Sequence, residues 1–270
     1  MTKKLLFLII LVCLFSIFQV GCQTNPVTGK SQLLLVSPEE EKKMGLNYSQ
    51  QVEKEMGESI KDDQLQNYIN SVGQKIAAVS HSPTYGFSYK AIDHNSVNAF
   101  ALPGGYVYIT TGLLEQLNSE AQLAAVLGHE TAHVTARHIA SQITSDTIMS
   151  IGVSVLGSAS SGAGSLGQIV ESLASKSFSR TDEKQADAIG LGYMVKAGYT
   201  PNGMIETMEI LQKQSGSRTV EFFSTHPSPE NRIGLIKQEI YNNQYPTNGK
   251  NGTDEYAANV TARLKAIKSK

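Results

Sequence analysis

Apolar residues recur along this chain with two periods, and the changes of period mark out its elements. From Ser37 onward, Glu39, Glu40, Glu41, Lys42 and Lys43 alternate with an apolar stripe through Met44, Val52 and Met56, the spacing of an amphipathic helix. Ser37 and Glu40 form a capping box at its start. A second helical pattern covers residues 63–78, with Leu65, Tyr68, Ile69, Val72, Ile76 and Ala77 on the buried face. Period two then takes over in residues 87–92. Residues 98–102 and 106–110 flank Pro103-Gly104-Gly105 and predict a hairpin. Its edge strand could hold an extended peptide through free backbone groups, or be simple core.

Helical spacing returns at Ser119, whose capping box with Gln122 opens a helix carrying Leu123, Val126 and Leu127 on its buried side. Residues 157–167 are mostly Gly, Ser and Ala and predict a loop, either a lid beside the site, a plain connection or a membrane-associating segment. A further helix begins near Arg180 and is closed by Gly198 and Pro201. Another spans residues 204–214, and a Pro-stiffened turn around His226 leads into a last helix. Residues 241–270 read as a peripheral segment. The sum is an α+β, mostly helical fold with a small sheet beside the residue-119 helix.

The N-terminus adds a location. Lys3 and Lys4 precede an apolar run over residues 5–20, broken by Ser16 and Gln19, and then Gly21-Cys22. This is the plan of a secretory leader, with an uncleaved anchor as the alternative. Cys22 after Gly21 resembles a bacterial lipobox, in which Cys22 would carry the lipid, although Gln19 stands where Leu is usual. The expected organisation is a signal peptide over 1–21, a lipidated tether over 22–36 and a catalytic domain over 37–240. Gln23 in place of Asp resembles lipoproteins of the Gram-negative outer membrane, so the protein would be exported and face the periplasm.

Composition narrows the chemistry. The net charge of −1, or −3 without Lys3 and Lys4, offers no basic footprint for nucleic acid. The only cysteines are Cys13 and Cys22, so a metal site in the body must use histidines and carboxylates. His129, Glu130 and His133 form H-E-x-x-H. Residues four apart on a helix differ by only ~40°, so both imidazoles can share one zinc ion while Glu130 holds a water. Metzincins need a glycine at 136 and a histidine at 139, where this chain has Ala136 and Ile139. On a continued helix His138 would point ~180° away from His129 and is expected to be structural or at the surface. Glu183 and Asp187 share a helix face with Arg180, and Ala186 and Gly190 permit close approach to another helix. A carboxylate there could be the third ligand, and a second could accept the free N–H of a ligating histidine.

The ordered set of lipobox, N-P-V-T-G-K, N-A-F-A-L-P-G-G, H-E-x-x-H, S-R-x-x-E-x-x-A-D-x-x-G and T-H-P-x-x-x-x-R resembles the membrane-associated gluzincin peptidases related to the CAAX prenyl endopeptidase and the heat-shock membrane protease, in their periplasmic lipoprotein branch. The resemblance covers residues 22–238. It implies a zincin-like fold and one Zn2+ per chain, held by His129, His133 and Glu183 and backed by Asp187. It also implies Glu130 as general base, His226 near the metal in regulation or transition-state binding, and Arg232 as a further catalytic residue. Gln185 stands where the family has a second glutamate. The expected activity is endoproteolysis of misfolded or unassembled envelope proteins, with membrane attachment through Cys22. The rival readings are a periplasmic chaperone or assembly factor for outer-membrane proteins, and a purely structural zinc site.

Overall fold

The computed structural model describes residues 21–155, 176–214, 221–227 and 231–269. The leader over residues 1–20 and the Gly/Ser-rich loop over 157–167 lie outside the described residues. In chain order the elements are β1 (Cys22–Thr24), β2 (Ser31–Leu33), α1 (Pro38–Glu55), α2 (Asp63–Ala78), β3 (Ser88–Ile92), β4 (Ala99–Leu102), β5 (Tyr106–Thr110) and α3 (Thr111–Leu114). Then come α4 (Glu120–Thr135), α5 (His138–Val155), α6 (Arg180–Lys196), α7 (Asn202–Gln214), α8 (Phe222–Thr225), α9 (Arg232–Asn242), α10 (Thr253–Tyr256) and α11 (Ala262–Lys268). The fold is α+β and mostly helical, as the periodicities predict. No helix among the described residues is long and apolar enough to cross a membrane.

Helix α4 is the centre of the molecule, with all sixteen of its residues buried. Beside it lies a three-stranded sheet ordered β3-β5-β4, with β3 and β5 parallel and β4 and β5 antiparallel. The expected hairpin is β4–β5, turned through Pro103–Gly105, where Gly104 and Gly105 take φ of 81° and 87°. Glycine suits that left-handed region because it lacks a Cβ to clash. Both faces of the sheet are covered. One joins the main core, and the other meets α1 through Tyr48, Val52, Ile92, Phe100, Leu102 and Tyr108. This is why β4 is buried at every position instead of alternating.

Three expectations about the chain differ from the structure. Residues 22–36, expected as a tether, form the antiparallel β1–β2 hairpin, which lies on the body. Asn25 Nδ2 donates to the Ala136 carbonyl, the Leu35 N–H donates to Thr144 Oγ1, and Leu34 is buried. Residues 241–270 are not peripheral either, because Tyr256, Val260 and Leu264 enter the main core. The backbone N–H groups of Glu120 and Ala121 donate to the carbonyls of Gly252 and Asn251. The C-terminal segment thus caps orphan donors at the start of the central helix. Finally, only half of the capping box at Ser119 forms. Ser119 Oγ accepts from the Gln122 N–H, but Gln122 Oε1 takes the Asn118 N–H instead of that of Ser119.

Candidate metal centre

The site forms where α4 and α6 cross, and glycine sets their separation. A Cβ on Gly128 would stand 2.9 Å from the Gly190 carbonyl oxygen, and one on Gly190 would stand 2.8 Å from the Gly128 carbonyl carbon. That contact brings Glu183, about two turns before Gly190, against His129 and His133. The Nε2 atoms of the two histidines lie 3.0 Å apart. Glu183 Oε2 is 3.5 Å from His129 Nε2, and Oε1 is 3.3 Å from His133 Nε2. Segment 221–227 contributes His226, and the four side chains present ligand atoms all within 4.8 Å of one another. Aromatic rings fix two of these imidazoles. Phe178 stacks on His133 at 3.8 Å between centroids, and Phe222 stacks on His226 at 4.4 Å.

The outer side of His129 is held by charge. Its Nδ1 is 3.0 Å from Asp187 Oδ1. Arg232 grips the same carboxylate with two hydrogen bonds of 2.7 Å, Nε to Oδ2 and Nη2 to Oδ1. Burial pushes the Asp187 carboxyl up, but the Arg232 charge and the bond from His129 outweigh it and leave it below its ordinary value. Arg232 is 1% exposed, and its Nη2 stands 3.5 Å from His129 Nδ1 and 3.3 Å from Glu183 Oε2, so it touches both the outer side of His129 and one of the converging carboxylates. Arg180, in contrast, is exposed and takes no part.

Glu130 and Glu183 have the opposite surroundings. Both carboxylates are fully buried, and none of their four oxygens accepts a well-formed hydrogen bond, the Ala101 backbone amide acting only weakly on Glu130. Burial raises Glu130 to about 8, against the opposing charge of Arg232 and the Ala101 backbone amide. Glu183 rises to about 9, again chiefly by burial, with Arg232 opposing and the neighbouring Asp187, Glu130 and Asp182 charges adding. His226 Nε2, also without a hydrogen bond, is 3.3 Å from Glu130 Oε1. Burial depresses the pKa of His129, and those of His133 and His226 well below the ordinary range, so all three favour the neutral, metal-binding form. Three buried carboxylates facing one guanidinium leave two negative charges uncompensated when all are ionised. A divalent cation among the nitrogen and oxygen donors matches that charge, and the donor set suits zinc.

One neighbour is unexpected. His138 is buried, and its Nδ1 is 3.0 Å from His133 Nδ1, while its Nε2 is 2.9 Å from Gln185 Oε1. The ~180° offset assumed a continuous helix. Arg137 instead takes a left-handed φ of 62°, ends α4 and starts α5 in a new direction. Its side chain is held by Glu41, the Val36 carbonyl and Gln23 Oε1. Phe178 and Phe222 were likewise not singled out by the sequence, although Phe178 directly precedes the S-R-x-x-E motif.

A buried helix carrying two histidines and a base, completed by a glutamate from a later helix beside a small sheet, defines a zincin-like metallopeptidase centre of the gluzincin type. The chain belongs to peptidase family M48, whose model matches residues 63–240. It is 32% identical over 230 residues to the beta-barrel assembly-enhancing protease of Escherichia coli (strain K12), covering 80% of this chain and 47% of that protein. It is 33% identical over 219 residues to the mitochondrial metalloendopeptidase OMA1 of Schizosaccharomyces pombe, covering 79% of this chain and 65% of the relative. Metalloprotease YcaL of E. coli (strain K12) is 30% identical over 159 residues, 57% of this chain and 62% of its own length. The chain spans about half the length of the assembly-enhancing proteases it matches.

Proposed function

We propose that the protein is a zinc-dependent endopeptidase held at a bacterial membrane, cleaving misfolded or unassembled proteins of the cell envelope. The observation that carries this reading is the fully buried carboxylate of Glu130, without a well-formed hydrogen bond and 3.3 Å from His226 Nε2, beside four convergent ligand groups. A closed structural site has no use for such a base.

His129 and His133 through Nε2, and Glu183 through its carboxylate, would hold the metal. A bound zinc ion supplies Lewis acidity to the scissile carbonyl and to water. Glu130 takes a proton from the attacking water and returns it to the departing amine. Asp187, fixed by Arg232, accepts the Nδ1 proton of His129 and keeps its Nε2 lone pair facing inward. This makes Arg232 a positioning group, which holds Asp187 and, with Nη2 3.3 Å from Oε2, the Glu183 carboxylate as well. His226 presents a fourth donor within 4.8 Å of the other three, so with all four in place a bound metal would have no position left for water. His226 therefore gates the site and withdraws for turnover. His226→Ala is expected to raise basal cleavage, and unchanged activity would remove the gate.

Envelope attachment rests on the sequence reading of Cys22, which is exposed at the start of β1. It pairs in register with Leu33, itself 60% exposed, so an acyl chain would leave the body at an apolar spot. The substrate class follows by analogy with the assembly-enhancing relatives. The decisive experiment measures zinc stoichiometry together with chelator-sensitive cleavage of an unfolded envelope protein. One zinc per chain with cleavage supports the enzyme, and absence of both overturns it. Full rescue of an envelope defect by Glu130→Gln would favour the chaperone instead.

A further inference from the structure

We infer that His138 and Gln185 form a neutral hydrogen-bond relay that positions His133 for metal binding, as the uncharged counterpart of the Asp187–Arg232 support behind His129. The inference rests on the zinc-site reading above and extends it to two residues outside the ligand set.

The proton positions along the chain leave one solution. His133 turns Nε2 toward Glu183 and His129, so a ligating His133 keeps its single ring proton on Nδ1. The atom facing that proton at 3.0 Å is His138 Nδ1, which accepts it only as a bare lone pair. The His138 proton then sits on Nε2 and is donated to Gln185 Oε1 at 2.9 Å. Each donor meets an acceptor, and the amide oxygen of Gln185 fixes the tautomer at the far end. The nearest other acceptor, Asp182 Oδ1, stands 3.6 Å from His138 Nε2, and its partner oxygen Oδ2 is engaged by the Ser179 cap.

A ligating histidine usually leans on a carboxylate, a carbonyl or water. Here a second buried carboxylate behind His133 would join Glu130, Glu183 and Asp187, which share the single guanidinium of Arg232. A neutral imidazole supplies the acceptor without adding charge to a buried cluster, where an uncompensated charge is costly. The amide at position 185 fulfils the same requirement, since its oxygen accepts without bringing charge. The Arg137 turn places His138 against α4, and the anchors of that turn belong to β1 and α1. The relay thus connects the N-terminal hairpin to the second metal ligand.

The test uses the full chain and two readouts other than activity: zinc affinity by competition with a chromophoric chelator, and 15N NMR of the histidine side chains, which reports each tautomer. His138→Ala is expected to weaken zinc binding about 10- to 100-fold, the usual effect of losing an outer-shell partner. His138→Asn should restore most of it, because the Asn oxygen stands where Nδ1 stood. Gln185→Ala should cause a smaller loss and release His138 into a mixture of tautomers. If a folded His138→Ala protein binds zinc as wild type does, or Asn rescues no better than Ala, the relay is wrong. Should His138→Ala fail to fold, half-buried Gln185 decides. A Gln185→Ala protein with an unmixed His138 tautomer and unchanged zinc affinity would equally overturn it.

Discussion

Two glutamates on the same helix, ten residues apart, are both buried and have opposite fates. Glu120, 1% exposed, accepts from the hydroxyls of Tyr199 and Tyr68 at 2.6 and 2.8 Å and from Lys75 and Lys250 at 3.2 and 3.1 Å. Burial pushes its pKa up, but those bonds and charges prevail and bring it to about 2. Glu130, 0% exposed, has no well-formed hydrogen bond, only the weak pull of the Ala101 backbone amide, and rises to about 8. Burial is therefore common to both, and the supply of donors distinguishes them. A satisfied buried carboxylate fixes structure, and an unsatisfied one is free to accept a proton. Helix α4 is anchored at its N-terminal end and carries the proposed metal ligands and base further along, and the anchoring would hold those groups still.

The sharpest way to break this contrast is at Glu130. Glu130→Gln keeps the shape and the packing but removes the base. Peptide cleavage should fall about 10²- to 10⁴-fold, the usual contribution of a positioned acid–base group, while zinc stoichiometry stays at wild type. Turnover of the variant at the wild-type rate would exclude Glu130 as base. A smaller effect is expected one layer out, at Asp187. Asp187→Ala leaves Arg232 and the His129 N–H without their shared acceptor, and zinc affinity should drop about 10- to 100-fold, read by chelator competition.

The contrast also shows which parts of this structure were legible in the sequence. The starts of α1 and α2, the central helix and the Glu183/Asp187 face follow from periodicity, caps and spacing, because each depends on neighbours within a few residues. The small residue Gly190 signals close approach in the sequence, although only the fold pairs it with Gly128. What was hidden depends on distant backbone. The carbonyls of Asn251 and Gly252 cap α4, and a backbone carbonyl leaves no mark in a residue pattern. Residues 23–30 are polar and turn-rich, yet buried Leu34 and the bonds of Asn25 and Leu35 seat the segment on the body. His138 escaped because a non-glycine residue, Arg137, adopts a left-handed conformation and redirects the chain. Such a conformation costs roughly 1–2 kcal/mol, and here the contacts of Arg137 with Glu41 and the hairpin offset it.

At Glu120 the expected effect is on stability. Glu120→Ala removes the acceptor of two tyrosine hydroxyls and should cost about 1–3 kcal/mol in chemical denaturation, with the specific activity of folded protein retained. The sign of the pH dependence follows from the lowered pKa. Relative to an ordinary glutamate at 4.5, the charged form is favoured in the folded state. Its contribution, up to about 3 kcal/mol for a shift of that size, is complete above about pH 5 and is lost as pH falls toward 2. Glu120→Gln should flatten that acid limb of the melting temperature. An unchanged acid slope would show that the network is not what holds the helix.

The same network contains a weaker member, which separates attraction at the surface from hydrogen bonding inside. Lys250 touches Glu120 Oε2 and Glu255 Oε1, both at 3.1 Å, but its side chain is 41% exposed. Water and salt screen it, and the flexible side chain loses entropy when held. Lys250→Met keeps the aliphatic chain and removes the charge, so it should cost only about 0.2–1 kcal/mol. That loss should vanish as salt approaches about 1 M, where screening acts over only a few ångströms. The two buried tyrosine bonds to Glu120 should be insensitive to salt. A Lys250→Met loss as large as that of Glu120→Ala, or one that persists in salt, would mean that the C-terminal segment is held by charge and not by the Asn251 and Gly252 carbonyls on α4.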